Sequence, residues 1–113
     1  MPWTPLCPVS DIDDGKARYV EAAGRFLAVY LHAGQPYVMD NYCPHAGGSL
    51  AAGFVDEGCA VCPWHYWKFR LTDGQLTSSP HVRVATYPAR VTDGIVEADL
   101  PPAHPAPELQ GPT

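Results

Sequence analysis

Thirteen prolines and ten glycines are scattered along 113 residues, and these interruptions constrain the fold more than any other feature. Proline lacks the donor that a helix interior needs, and glycine loses the most backbone freedom on ordering, so long helices are disfavoured. Few windows show an apolar period of 3.6 residues. Strand-like runs recur instead: "ARYVEA" and "RFLAVYLHA" on either side of Gly24, "QPYVMD" after a turn at Ala33-Gly34, then "CAVC", "WKFRL", "VRVATYPARV" and "IVEADL". Asp14-Gly15, Asp73-Gly74 and Asp93-Gly94 punctuate these runs, and such pairs favour tight hairpin turns. The expectation is an all-β protein, an antiparallel sandwich or barrel of short strands.

Length allows one domain with one core, and a hydrophobic fraction of 46% is that of an ordinary globular protein. Twelve acidic against seven basic side chains give a formal charge of −5. An acidic chain repels phosphate backbones and anionic lipid, which argues against nucleic acid and membrane surfaces as partners. A basic patch on another protein suits it better. The first residues, "MPWTPLCPVSDIDDGK", show no basic region followed by an apolar run, and no stretch reaches membrane-spanning length. A cytoplasmic location is expected, where Cys7, Cys43, Cys59 and Cys62 serve as thiols or metal ligands rather than disulfides.

Two segments interrupt the strand pattern and read as loops, 43–53 ("CPHAGGSLAAG") and 62–69, where Pro63 opens the turn. Each carries one cysteine and one histidine: Cys43 with His45, and Cys62 with His65, sixteen residues lying between His45 and Cys62. Two loops that each donate a thiolate and an imidazole can close around a compact inorganic centre. The proline after each cysteine lowers the entropy cost of holding the loop ready. Gly47 and Gly48 allow close backbone approach and N–H groups turned toward anionic sulfur. Cys59 and Cys62 end a strand-like run at an odd separation, so they point to opposite faces. A tail of five prolines within residues 101–113 cannot pair as a strand and reads as an extended arm beyond a domain spanning 1–100.

"CPHAGGSL" followed by "CPWHYWKF" resembles the Rieske iron–sulfur proteins, most closely the small ferredoxins of ring-hydroxylating dioxygenase systems. The likeness runs from "CPVSDI" near the start to "YPARVTDGIVEADL". It implies a β-sandwich with two cluster-binding loops at one tip and one [2Fe–2S] cluster per chain. Cys43 and Cys62 would hold one iron, His45 and His65 the other, with Gly47, Gly48, Trp64 and Pro80 ("SSPHV") shielding the cluster. Two ferric ions, two sulfides and two thiolates sum to zero charge. A four-cysteine cluster carries two more negative charges and resists an added electron, so mixed ligation lifts the potential into a window of roughly −150 to +300 mV. High-potential relatives carry a disulfide between the loops and hydroxyl donors after the second histidine. The matching positions here are Gly48 and Trp64, then Trp67 and Phe69, which points to the lower part of that window. Tyr66 stands where the resemblance leads one to expect glycine.

The implied function is one-electron transfer without catalysis by the chain alone, between a flavin reductase and a terminal oxygenase. A variant is the small subunit of a larger reductase, such as assimilatory nitrite reductase. Two other classes compete: a structural zinc module using Cys43, Cys59, Cys62 and one histidine, and a thiol oxidoreductase built on "CAVC". The second expects a helix after Cys62, where sequence offers Pro63 and an aromatic run. His32, His81 and His104 lack a partnered cysteine and are not expected to be ligands. Met39 and the tryptophans read as packing residues, Lys68 and Arg70 as a solvated strand face, and Cys7 has no assigned role.

Overall fold

A computed structural model of the chain describes residues 3–42, 49–63, 66–79 and 81–101. Ten strands run in the order β1 (Trp3–Pro8), β2 (Ala17–Ala22), β3 (Arg25–His32), β4 (Gln35–Asp40), β5 (Phe54–Asp56), β6 (Cys59–Val61), β7 (Lys68–Arg70), β8 (Thr86–Tyr87), β9 (Ala89–Thr92) and β10 (Ile95–Asp99). Short 3-10 turns occupy Val9–Asp11 and Leu50–Ala52. Every strand pairing is antiparallel, as the turn-rich sequence predicts.

The strands form three sheets, ordered β1-β10-β9, β2-β3-β4-β8 and β5-β6-β7. The second is the middle layer, and β3 shows why. Successive side chains on a strand point to opposite faces. Leu27 and Val29 join Val38, Val96, Ala98 and Leu100 in one core. Ala28 and Tyr30 join Met39, Ala60, Cys62 and Phe69 in the other. A strand buried on both faces needs the unbroken apolar run "FLAVYL" rather than an alternating one.

Two stretches differ from expectation. "VRVATYPARV" is not one strand: β8 pairs with β4, Pro88 intervenes, and β9 pairs with β10 in another sheet. Proline cannot donate to a ladder, so the chain changes sheets there, and the Pro88 carbonyl accepts the Asp99 N–H at 2.9 Å. The proline-rich start is also a strand. It lies at a sheet edge, where missing donors can face outward, and its register shifts between Pro5 and Cys7. Among the described residues no helix is long and apolar enough to cross a membrane.

Three hairpins turn through a non-glycine residue in the left-handed region followed by glycine: Ala23-Gly24 (φ +52°, +74°), Ala33-Gly34 (+52°, +78°) and Glu57-Gly58 (+53°, +75°). Asp93-Gly94 does the same with the better-suited aspartate. Left-handed backbone costs an alanine roughly 1–2 kcal/mol, and asparagine less. Ala33→Asn is therefore expected to stabilise the fold by about 0.5–1 kcal/mol, a rise of roughly 2–6 °C in thermal midpoint. A midpoint that stays or falls would contradict the turn assignment.

Candidate metal centre

Of the four expected ligands, Cys62 lies among the described residues; Cys43, His45 and His65 lie outside them, as do Gly47, Gly48, Trp64, Pro80 and residues 102–113. Among the described residues no three Cys, His, Asp or Glu side chains gather at one point. The structure does describe the residues on which the two ligand segments stand.

Cys62 follows β6 directly and is fully buried, in the core shared with Ala60, Tyr30 and Leu50. Cys59 is buried too but belongs to neither core. Its surroundings are charged: burial pushes its thiol pKa up, Lys68 and Arg70 pull it down, and Glu57 and Asp56 push it up. The two cysteines thus face opposite sides of β6, as the odd separation predicts. That geometry does not suit one zinc ion or one dithiol shared between them. Among the described residues after Cys62 the next element is β7, not a helix, so no described helix N-terminus serves a reactive dithiol there.

Cys62 and Pro63 leave β6, and Tyr66 and Trp67 lead into β7. The Cys62 N–H donates to the Trp67 carbonyl at 2.8 Å and joins the two. Tyr66 sits in the left-handed region at φ +59°, with its ring 68% exposed. The position that the resemblance gives to glycine thus keeps a glycine-like backbone, and tyrosine bears the strain. Removing about 1–2 kcal/mol of left-handed strain while accepting about 0.5–1 kcal/mol of glycine entropy leaves a modest gain. Tyr66→Gly is expected to raise the urea midpoint slightly with an unchanged visible spectrum. A lost or altered spectrum would show that the Tyr66 ring matters to the centre.

Asn41 ties together the described residues on either side of 43–48. Its side-chain oxygen accepts the Ala51 N–H at 2.7 Å, its amide nitrogen donates to Ser49 Oγ at 2.9 Å, and its backbone N–H donates to the Phe26 carbonyl at 2.9 Å. One side chain therefore clasps the entry and exit of the first segment. Sequence reasoning did not single it out. Asparagine's habit of bonding nearby backbone was the available signal, but the partner lies ten residues away.

Gly53, at the exit of the first segment, sits directly on the second. An added Cβ would stand 1.9 Å from the Val61 carbonyl oxygen and 3.2 Å from Pro63 Cδ. Tyr30 joins them from below: its hydroxyl donates to the Leu50 carbonyl at 3.0 Å, and burial, then the charge of the nearby Cys62, raises its pKa. The third expected contributor, "SSPHV", is represented by its flanks. Leu76 N–H donates to the Val82 carbonyl at 2.9 Å, and Thr77 N–H to the Lys68 carbonyl at 2.9 Å, tying this turn to β7. His81 is exposed and Met39 is fully buried core. Lys68 is paired with Asp56 and Glu57, and Arg70 with Asp73, so this strand face is neutralised by the chain's own carboxylates.

These residues fit a two-loop cluster site. A soft thiol donor, Cys62, stands buried at the end of β6, and Gly53 packs beside it against Val61 and Pro63. An all-β domain with two such adjoining segments defines the class. The chain belongs to the Rieske [2Fe-2S] domain family, whose model matches residues 2–88. That membership implies a [2Fe–2S] cluster. The Sphingomonas yanoikuyae B1 ferredoxin superposes with a TM-score of 0.79 at 33% identity, over 88% of this chain and 99% of that one. A chain in the complex of reduced oxygenase and oxidized ferredoxin in carbazole 1,9a-dioxygenase superposes with a TM-score of 0.76 at 32% identity, over 87% of this chain and 93% of that one. The 3-phenylpropionate/cinnamic acid dioxygenase ferredoxin subunit of Escherichia coli K12 is 31% identical over 101 residues, 88% of this chain and 94% of that protein. The chain also matches much longer proteins, and it spans 17–20% of the first of these. It is a small Rieske-type domain related in sequence and structure to these ferredoxin components.

Proposed function

We propose that Cys43 and Cys62 bind one iron of the [2Fe–2S] cluster, that His45 and His65 bind the other, and that the chain carries single electrons from a flavin reductase to a terminal oxygenase in the cytoplasm. When bound, such a cluster stores and releases one electron. The chain's residues hold and shelter it. Cys62 offers its thiolate from a dry strand end, and the Cys62–Trp67 backbone hydrogen bond joins the residues on either side of His65. Asn41, bonded to Ser49 and Ala51, draws together the residues that flank the stretch carrying Cys43 and His45. Gly47, Gly48, Trp64 and Pro80 are placed by the sequence pattern to screen the cluster from water, and the domain they serve is taken as 1–100 with an arm beyond it.

The observation that carries the reading is the match along 99% of the Sphingomonas yanoikuyae ferredoxin. The test is an electron paramagnetic resonance spectrum of dithionite-reduced protein with a redox titration. Mixed cysteine and histidine ligation should bring the average g value well below that of four-cysteine clusters. The midpoint should fall in the lower part of roughly −150 to +300 mV, since Trp67 and Phe69 carry no hydroxyl for sulfur. A colourless, silent protein would sink the assignment, and a strongly positive midpoint would sink the low-potential expectation.

A further inference from the structure

The middle sheet is not covered along its whole length on the side toward β5, β6 and β7. Ala28, Tyr30 and Met39 lie beneath that layer. Tyr19 and Phe26 point the same way, by strand alternation and by the registers Tyr19↔Ala28 and Glu21↔Phe26. Yet they are 42% and 61% exposed. Their rings stack with centroids 6.5 Å apart and planes within 8°. Tyr42, 57% exposed, joins them along an open groove of about 490 Å³. Isolated exposed apolar residues need no explanation, but three aromatic rings on one groove do.

This groove adjoins the proposed cluster segment. Tyr42 is the residue before Cys43, and the Asn41 N–H bonds the Phe26 carbonyl, joining the groove wall to the segment's clasp. Asp40 and Arg25 are the groove's charged lining residues, Glu21 stands beside it, and Asp40 accepts the Tyr87 hydroxyl at 2.7 Å. Glu21 accepts the Tyr19 hydroxyl at 2.9 Å. Arg25, the cation in the lining, is engaged by the Tyr87 hydroxyl and the Pro101 carbonyl. Aromatic anchors with Asp40 and Glu21 beside them, on a chain of net charge −5, suit an apolar centre inside a basic rim.

The geometry points to the Tyr19–Phe26–Tyr42 groove as a docking site for a redox protein whose contact face is apolar at its centre and ringed by lysine and arginine. This rests on the electron-carrier reading above. Tyr42 and Phe26 then anchor the partner beside the first ligand segment, and the chain's net charge of −5 steers the encounter.

The probe is ferric cytochrome c, a basic redox protein, at low ionic strength. Two readouts are taken: its dissociation constant with the oxidised chain by calorimetry, and the second-order rate at which the dithionite-reduced chain gives one electron to the ferric haem, with no bond made or broken. The Tyr19→Ser/Phe26→Ser double variant should weaken binding and slow transfer about tenfold, the size expected when aromatic anchors are removed. Its visible spectrum and midpoint should match the parent. Val91→Ser, at another exposed apolar residue on β9, should stay within about twofold of the parent, as a surface change away from an anchor does. A double variant as tight and fast as the parent, or an equal loss in Val91→Ser, would overturn the proposal. So would tighter binding on deletion of residues 102–113, which would give the groove to the chain's own tail. A parent dimer that Phe26→Ser makes monomeric would give it to a second copy and overturn it likewise. A colourless parent protein would refute the carrier reading itself, before any binding is measured.

Discussion

Cys62→Ser should leave the chain without iron, while Cys59→Ser should keep its full complement. The two cysteines are three residues apart, and both are buried. Buried area therefore cannot tell them apart, but direction can. Cys62 shares a face of β6 with Ala60 and looks into the core that also holds Tyr30 and Leu50, at the foot of both ligand segments. Cys59 looks the other way, toward Lys68, Glu57, Arg70 and Asp56, where it acts as a small buried thiol. Iron and labile sulfide per chain are the measurements: about two irons should fall to near none in Cys62→Ser and stay near two in Cys59→Ser. The serine hydroxyl in the dry Cys62 site adds a cost of about 1–3 kcal/mol if unsatisfied, so far-ultraviolet circular dichroism must show that the variant still folds. Iron retained in Cys62→Ser, or lost in Cys59→Ser, would reverse the roles given to these residues.

Strand positions were legible wherever local chemistry determined them. β2, β3 and β4 fall on the apolar runs flanked by Gly24 and Gly34, and β10 follows Asp93-Gly94. β1 was hidden because Pro5 and Pro8 argue against a strand except at an edge, and edge position is a property of the assembled sheet. β5 was hidden by its three-residue length and by Glu57, an unusual opener for a left-handed turn. Asp14-Gly15 and Asp73-Gly74 are left-handed at glycine but do not make two-residue hairpins. Gly15 N–H instead reaches across to the Leu31 carbonyl, and Gly74 packs on the Val84 carbonyl. The metal site divides in the same way. Cysteine and histidine spacing points to the proposed ligands, since that chemistry is local to each stretch. Asn41 and Gly53 could not be read, since their roles depend on which carbonyl or amide folding brings beside them.

Gly53→Ala is expected to be a severely damaging single-methyl change beside the proposed ligand segments. The backbone at Gly53 has φ −94°, so left-handed strain is not the reason. The obstacle is contact. The new carbon would stand 1.9 Å from the Val61 carbonyl oxygen, 3.1 Å from its carbon and 3.2 Å from Pro63 Cδ. Two of these are backbone atoms at the end of β6, held by pairing with Lys68 on one side and Phe54 on the other. No rotamer change relieves them. The exit of the first ligand segment must lift off the base of the second, or Val61 must move and take Cys62 with it. Either movement separates the residues that the two segments bring together. Overpacking of this kind usually costs 1–3 kcal/mol and sometimes more, and an overlap on backbone belongs at the upper end, about 3 kcal/mol or beyond. Gly34→Ala serves as the control. Nothing lies within 4 Å of its added carbon, and its φ of +78° leaves a backbone cost alone. That cost is about 1–2 kcal/mol. Urea unfolding should therefore rank Gly53→Ala well below Gly34→Ala, and iron analysis should find the cluster depleted in the first and retained in the second. Equal stability losses with full iron in both would mean that the two ligand segments do not depend on their contact at Gly53.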